Sequence, residues 1–280
     1  MSEFVVPAAY AVLMWWFTTG IILFLDGLPR ATFRWSMTAA TALLLGAAYV
    51  LHTSAADAGV GGAYTAFSCA VLVWGWLEMS FLMGFITGPR NHGCAERCTG
   101  WRHFLHAVQA IAYNEIATLA GAVAVFIATW RAPNRVALWT FLVLWAMRVS
   151  AKLNLFLGVP NLGEKFLPAH LLYLKSFFRK RPMNFLFPLS ISASTVVLVL
   201  LLQKYRGADD AADRVGYALV SSLLALAVLE HWFMVLPLPS EKLWHWAMGR
   251  ARRTGAIDYG SPQDAVASTR AVTPSRSNSI

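Results

Sequence analysis

The chain has 280 residues, of which 58% are hydrophobic and only 13% charged, with a formal net charge of +9. A water-soluble domain of this size carries roughly 25% charged residues, so the composition excludes one. The apolar residues gather into runs of bilayer-crossing length without the ten-residue alternation of a β-barrel, and Lys and Arg sort by loop rather than along one helix face, so the charge is a topology signal and not a nucleic-acid surface.

In chain order, the first predicted span is Pro7 to Leu25. No basic residue precedes it and no small-residue cleavage site follows, so it reads as a retained helix. The turn Asp26-Gly27-Leu28-Pro29-Arg30 leads to a second span, Trp35 to Leu51, and a Gly- and Ala-rich loop leads to a third, Ala63 to Ile86. A polar segment, Thr87 to Trp101, precedes the fourth span, Arg102 to Thr129. Ala132-Pro133-Asn134 turns the chain into the fifth, Arg135 to Leu157, which Gly158 and Pro160 end. The sixth is Leu186 to Gln203, and the seventh is Arg214 to Leu236, ended by Pro237 and Pro239. Trp15, Trp16, Trp35, Trp101, Trp130 and Trp139 lie near run ends, as interfacial belts require.

The expected architecture is therefore an all-α polytopic bundle of seven spans. With the N-terminus outside, 18 of the 23 Lys and Arg residues fall on the cytoplasmic side, which fixes an N-out, C-in orientation by the positive-inside rule. Between spans five and six, Leu167, Leu171, Leu174 and Phe178 recur at helical spacing beside Lys175 and Arg179-Lys180-Arg181. That pattern predicts an amphipathic helix, lying in the interface or packed on the bundle. Residues 1–248 form the membrane domain, and residues 249–280, rich in Ser, Thr, Pro, Arg and Gly, form a disordered cytoplasmic tail. No internal repeat of the transporter kind is visible.

Ionisable residues inside a membrane are functional candidates by default. Here they are Glu78, His103, His106, Arg148, Lys152, His170, Glu230 and His231, joined by the polar Asn154, all predicted toward the cytoplasmic half. Glu115 lies deeper, on the opposite side of its helix from His106. Three readings stay open. Arg148 and Lys152, four apart on one helix face, pair with Glu78 and Glu230 in a buried ion network. Alternatively, His103 and His106 point the same way and form a His/carboxylate ligand cluster with His170, His231, Glu78 and Glu230. In the third, a single His ligates a tetrapyrrole. Dense multi-His boxes are missing, so no metal ligand set is assigned. His92, Cys94, Cys98 and His103 have a spacing that zinc tolerates, but the pattern is not a paired C-x-x-C and the loop is short, so these thiols are expected to be reduced and unmetallated. The seventh span contains no Lys, which excludes a retinal Schiff base.

The string Leu153-Asn154-Leu155-Phe156-Leu157-Gly158-Val159-Pro160-Asn161 continues through Phe166-Leu167-Pro168, His170-Leu171-Leu172-Tyr173-Leu174-Lys175-Ser176-Phe177-Phe178 and Pro182-Met183-Asn184 to Leu186-Phe187-Pro188. With Ile86-Thr87-Gly88-Pro89-Arg90, Glu230-His231-Trp232 and Leu236-Pro237-Leu238-Pro239, it resembles the photosynthetic complex assembly protein 2 family, PuhE. The resemblance covers nearly the whole chain except the tail. It implies the inner or intracytoplasmic membrane of a phototrophic bacterium. It also implies a role in maturing the reaction centre and light-harvesting complex, with reaction-centre or light-harvesting subunits as partners and bacteriochlorophyll as the pigment handled. The resemblance supplies no catalytic residues. A non-catalytic assembly factor is the leading expectation. A membrane enzyme acting on a pigment precursor and a pigment transporter are the alternatives.

Overall fold

The structure, a computed structural model, describes residues 2–94, 98–238 and 240–248. Among these, seven helices are long and apolar enough to cross a membrane. They are α1 (Ser2–Asp26), α2 (Arg30–Thr53), α3 (Val60–Leu82), α4 (Gly100–Thr129), α5 (Val136–Leu157), α6 (Leu186–Gly207) and α7 (Ala211–Phe233). No strand accompanies them among the described residues. The expected multi-pass helical bundle is thus the observed fold. The predicted tail, 249–280, lies outside the described residues.

Helix α3 is the hub, packed against α1, α2, α4, α5 and α7. Its buried residues include the small Gly62, Ala63, Ala66 and Ala70, which let neighbouring backbones approach closely. Phe67, Val71 and α1 Ala11 meet Leu219 and Leu223 of α7 in one core, while Ala70, Val73 and Leu77 meet Ala122, Val125 and Phe141 in another. Helix α7 is similarly lined by Gly216, Ala218, Ser221, Ser222 and Ala227. Helix α6 buries only Phe187 and turns the rest of its apolar surface outward. Exposed apolar side chains such as Leu13, Phe17, Leu43, Leu45, Ile116, Ile127, Leu189 and Val196 form the lipid-facing surface of such a bundle.

The ends of the helices differ from expectation in instructive ways. Helix α3 stops at Leu82, four residues early, because Gly84 takes a left-handed turn (φ +81°) and the amides of Phe85 and Ile86 turn back to the Ser80 carbonyl. Asp210 caps α7 by accepting from the amides of Ala212 and Asp213. Trp35, Trp101, Trp130 and Trp139 are exposed, as a belt requires. Trp15 and Trp16 instead pack against chain that returns after α7. The Trp16 indole donates to the Leu243 carbonyl, the Trp244 indole donates to the Trp16 carbonyl, and Trp15 meets Trp244 edge to face.

The connection from α3 to α4 lies along α4 itself. The Asn114 amide donates to the Thr87 carbonyl at 2.9 Å. A β-carbon on Gly88 would overlap the carbonyl oxygens of Gln109 and Ala110, so only glycine permits this approach. Helix α4 has 30 residues, about 45 Å, against about 30 Å for a hydrocarbon core. Irregular backbone is not tolerated against lipid, so the end of α4 that carries this loop is the end that projects.

The predicted amphipathic helix exists as a 3₁₀ segment, Ala169–Phe177. Its buried residues are Leu171, Leu174 and Phe177, spaced by three as 3₁₀ geometry demands, rather than the expected Leu171, Leu174 and Phe178. They pack with Phe81 of α3 and Ala110 of α4. The segment's apolar face is thus turned onto the bundle.

Candidate functional site

The polar residues of interest collect at one end of the bundle, where α1, α3, α5 and α7 finish. Here α5 carries Arg148 and Lys152 one turn apart, and each reaches a different neighbour. Arg148 donates to Glu78 of α3 at 2.7 Å, and Lys152 donates to Glu115 of α4 at 2.5 Å. The Lys152 ammonium also stands 5.6 Å from the Phe81 ring centre. The ion network is real, with Glu115 rather than Glu230 as the partner of Lys152. Glu230 accepts the Trp15 indole N–H and lies near enough for the charge of Arg148 to act on it. Such pairs hold helices together in a medium where an unpaired charge is expensive.

His231 is buried and fully engaged. Its Nδ1 lies 2.9 Å from the Ala227 carbonyl and its Nε2 2.9 Å from the Ser150 hydroxyl. A carbonyl only accepts, so Nδ1 carries the proton and Nε2 accepts from Ser150. The same serine touches Asn154, whose amide donates to the Ser150 carbonyl and lies within 3.4 Å of the Ser150 and Ser190 hydroxyls. Asn184 closes the network by donating to the carbonyls of Asn154 and Gly158. Asn161 donates to the Phe233 and Leu236 carbonyls, satisfying the end of α7. The string Leu153–Pro188 therefore ties α5, α6 and α7 together. Within this network the buried Asn154 Oδ1 stays unsatisfied.

His103 and His106 go to different partners. The His103 ring is buried between Phe156 and Phe177, with its Nδ1 lacking a hydrogen-bond partner. His106 Nδ1 lies 3.3 Å from Cys94 Sγ and 3.3 Å from Cys98 Sγ. The expected cluster of His103, His106, His170, His231, Glu78 and Glu230 is not assembled. Among the described residues, the group placed to share one ion is Cys94, Cys98 and His106. Sequence spacing had set Cys94 and Cys98 beside His92 and His103 and left the thiols unmetallated; the meeting with His106 was not legible there, because nothing in the sequence reports which face of α4 the loop covers.

His170 lines an open groove of about 520 Å³ with Arg30, Phe33, Arg34, Met83 and Phe85. Its ring donates to the Leu82 carbonyl. The other nitrogen, Nε2, is buried without a partner and rests against Gly84, where a β-carbon would come within 3.1 Å of it. Since Nδ1 holds the proton, Nε2 presents a bare lone pair. Burial, and secondarily the charge of Arg30, hold His170 below the usual imidazole range, so it is neutral at pH 7. Arg30 and Arg34 had been read from sequence only as topology charges. Their place beside His170 was not legible there, since it depends on a segment arriving from 140 residues later. Asp26, with a buried and unpartnered Oδ2 at the end of α1, is a further polar group that sequence reading passed over.

Fold and site together define a polytopic helical membrane protein with a cross-helix polar network and a basic, His-containing groove at one end. The chain belongs to the family described as "Protein of unknown function (DUF3623)", whose model matches residues 1–255. It is similar to a Rhodobacter capsulatus protein described as "Uncharacterized 30.4 kDa protein in puhA 5'region", with 41% identity over 245 residues, covering 86% of this chain and 89% of that protein. No solved structure matches.

Proposed function

We propose that this protein is a non-catalytic, integral-membrane assembly factor for the bacterial photosynthetic reaction centre and its light-harvesting complex, in the PuhE family, and that it handles bacteriochlorophyll or a related tetrapyrrole. The observation that carries this reading is the relative encoded in the puhA 5' region, a photosynthesis gene neighbourhood. The groove supports the pigment part. The His170 Nε2 lone pair suits axial ligation of a chelated metal, and Arg30 and Arg34 suit the carboxylates of a precursor. Axial ligation requires the Gly84 backbone to yield, and glycine offers the least obstruction there. Reaction-centre or light-harvesting subunits are the partners on this reading, and the lipid bilayer is the solvent. The orientation proposed is N-out, C-in, which puts the groove and the basic edge at the cytoplasmic leaflet of the inner or intracytoplasmic membrane.

Deletion in a phototroph followed by pigment and complex analysis tests the function. The expected result is normal pigment intermediates with fewer assembled complexes. An accumulated biosynthetic intermediate would identify a membrane enzyme instead, and unchanged pigments with unchanged complexes would remove the proposal. Absorption spectra of the gently purified protein test the ligand. A tetrapyrrole band that H170A abolishes is expected, whereas a colourless wild type, prepared from cells making pigment, would reject pigment binding.

A further inference from the structure

We propose that Cys94, Cys98 and His106 form a zinc site that clamps the α3–α4 connection to the projecting end of α4. The three ligand atoms lie within 4.8 Å of one another, and each sulfur is 3.3 Å from the same His106 nitrogen. Hydrogen bonding does not account for this convergence. Nδ1 has one proton or one lone pair, and sulfur is a weak partner for either, yet two sulfurs share it at equal distance. A tetrahedral ion accounts for it directly. With Zn–S near 2.3 Å and Zn–N near 2.05 Å, the S···N edge of the tetrahedron is about 3.5 Å. The observed separations differ from that edge by a few tenths of an ångström.

The surroundings agree. Cys94 and Cys98 are separated by three residues, inside the range of zinc-binding pairs. The loop is already pinned where its first ligand leaves it. The Cys94 amide donates to the Ser176 hydroxyl at 2.9 Å, that hydroxyl donates to the Tyr173 carbonyl, and the Arg90 guanidinium donates to the Gly93 carbonyl. All three ligands are half-buried, and among the described residues no fourth His, Cys, Asp or Glu joins the group. Through Ser176 the clamp also steadies the 3₁₀ segment that carries His170. The inference stands whether or not the protein handles pigment.

The test uses the full-length protein purified in detergent under reducing conditions, exposed to zinc alone and desalted. About one zinc per chain is expected for wild type, and background levels for C94S/C98S and for H106A. Maleimide labelling read by mass spectrometry covers the case in which those variants misfold. In the wild type, zinc is expected to protect Cys94 and Cys98, and a chelator to expose them, while Cys69 is unchanged. Background zinc in the wild type, equal zinc in C94S/C98S, or labelling indifferent to zinc would overturn the site. So would a Cys94–Cys98 disulfide recovered from cells whose thiols were trapped at lysis.

Discussion

Arg148 of α5 holds Glu78 of α3 at 2.7 Å toward one end of the bundle. Removing one partner of such a pair leaves the other charge half-buried and unpaired, whereas replacing both by apolar residues of similar size costs much less. R148M and E78L are each expected to lower the melting temperature in detergent sharply, and the double variant R148M/E78L to recover most of the loss. Additive losses would show that the two side chains do not act as a pair.

The three histidines near this end of the bundle are expected to separate by role. H231A loses the link from Ala227 to Ser150 and should destabilise by about 1–3 kcal/mol. H170A should leave the melting temperature nearly unchanged but impair complex assembly in the phototroph. H245A, at an exposed position beyond α7, should do neither. Melting curves and complex yields of the three variants, measured side by side, check this; equal effects would contradict it.

His170 gives the fold a defined pH response. In the unfolded chain it titrates near 6.5, and in the fold burial and then Arg30 hold it lower. The folded state thus binds fewer protons than the unfolded state in mild acid. The stability contributed is fully present above 6.5 and is lost as pH falls through the folded value. Melting temperatures recorded from about pH 8 to about pH 5 should fall less steeply for H170Q than for wild type. Parallel curves would remove His170 as the source.

Gly88 sits against the α4 backbone with no room for a side chain. G88A is expected to destabilise by about 1–3 kcal/mol by pushing the loop off Gln109 and Ala110. Limited proteolysis should then cut between α3 and α4 in the variant but not in wild type.

The bundle was legible because lipid imposes one rule on every span: about twenty apolar residues with the backbone satisfied internally. The ion network was half legible. Arg148 and Lys152 share a face by spacing alone, but spacing does not say which acid each meets. Glu115 was set aside because it lies opposite His106 on α4, and that same phase is what aims it at Lys152. The meeting of Cys94 and Cys98 with His106 was not legible for a related reason. Loop docking, which rests on Gly88 and the Thr87 carbonyl, decides which histidine the cysteines meet, and no periodicity records it. Likewise, the 3₁₀ geometry of residues 169–177 differs from an α-helix by one residue in its last buried position, a distinction set by packing on Phe81 and Ala110.

The groove is built from pieces made far apart in time. Arg30 and Arg34 leave the ribosome early, Met83 and Phe85 follow with the loop, and His170 comes only after five helices have been synthesised. Chains are made and inserted from the N-terminus onward, so a nascent chain halted after α4 has the two arginines but no imidazole. On the proposed pigment role, ligand loading at the groove would be confined to molecules whose translation has passed α5, and the position of His170 in the gene would work as a timer against premature capture.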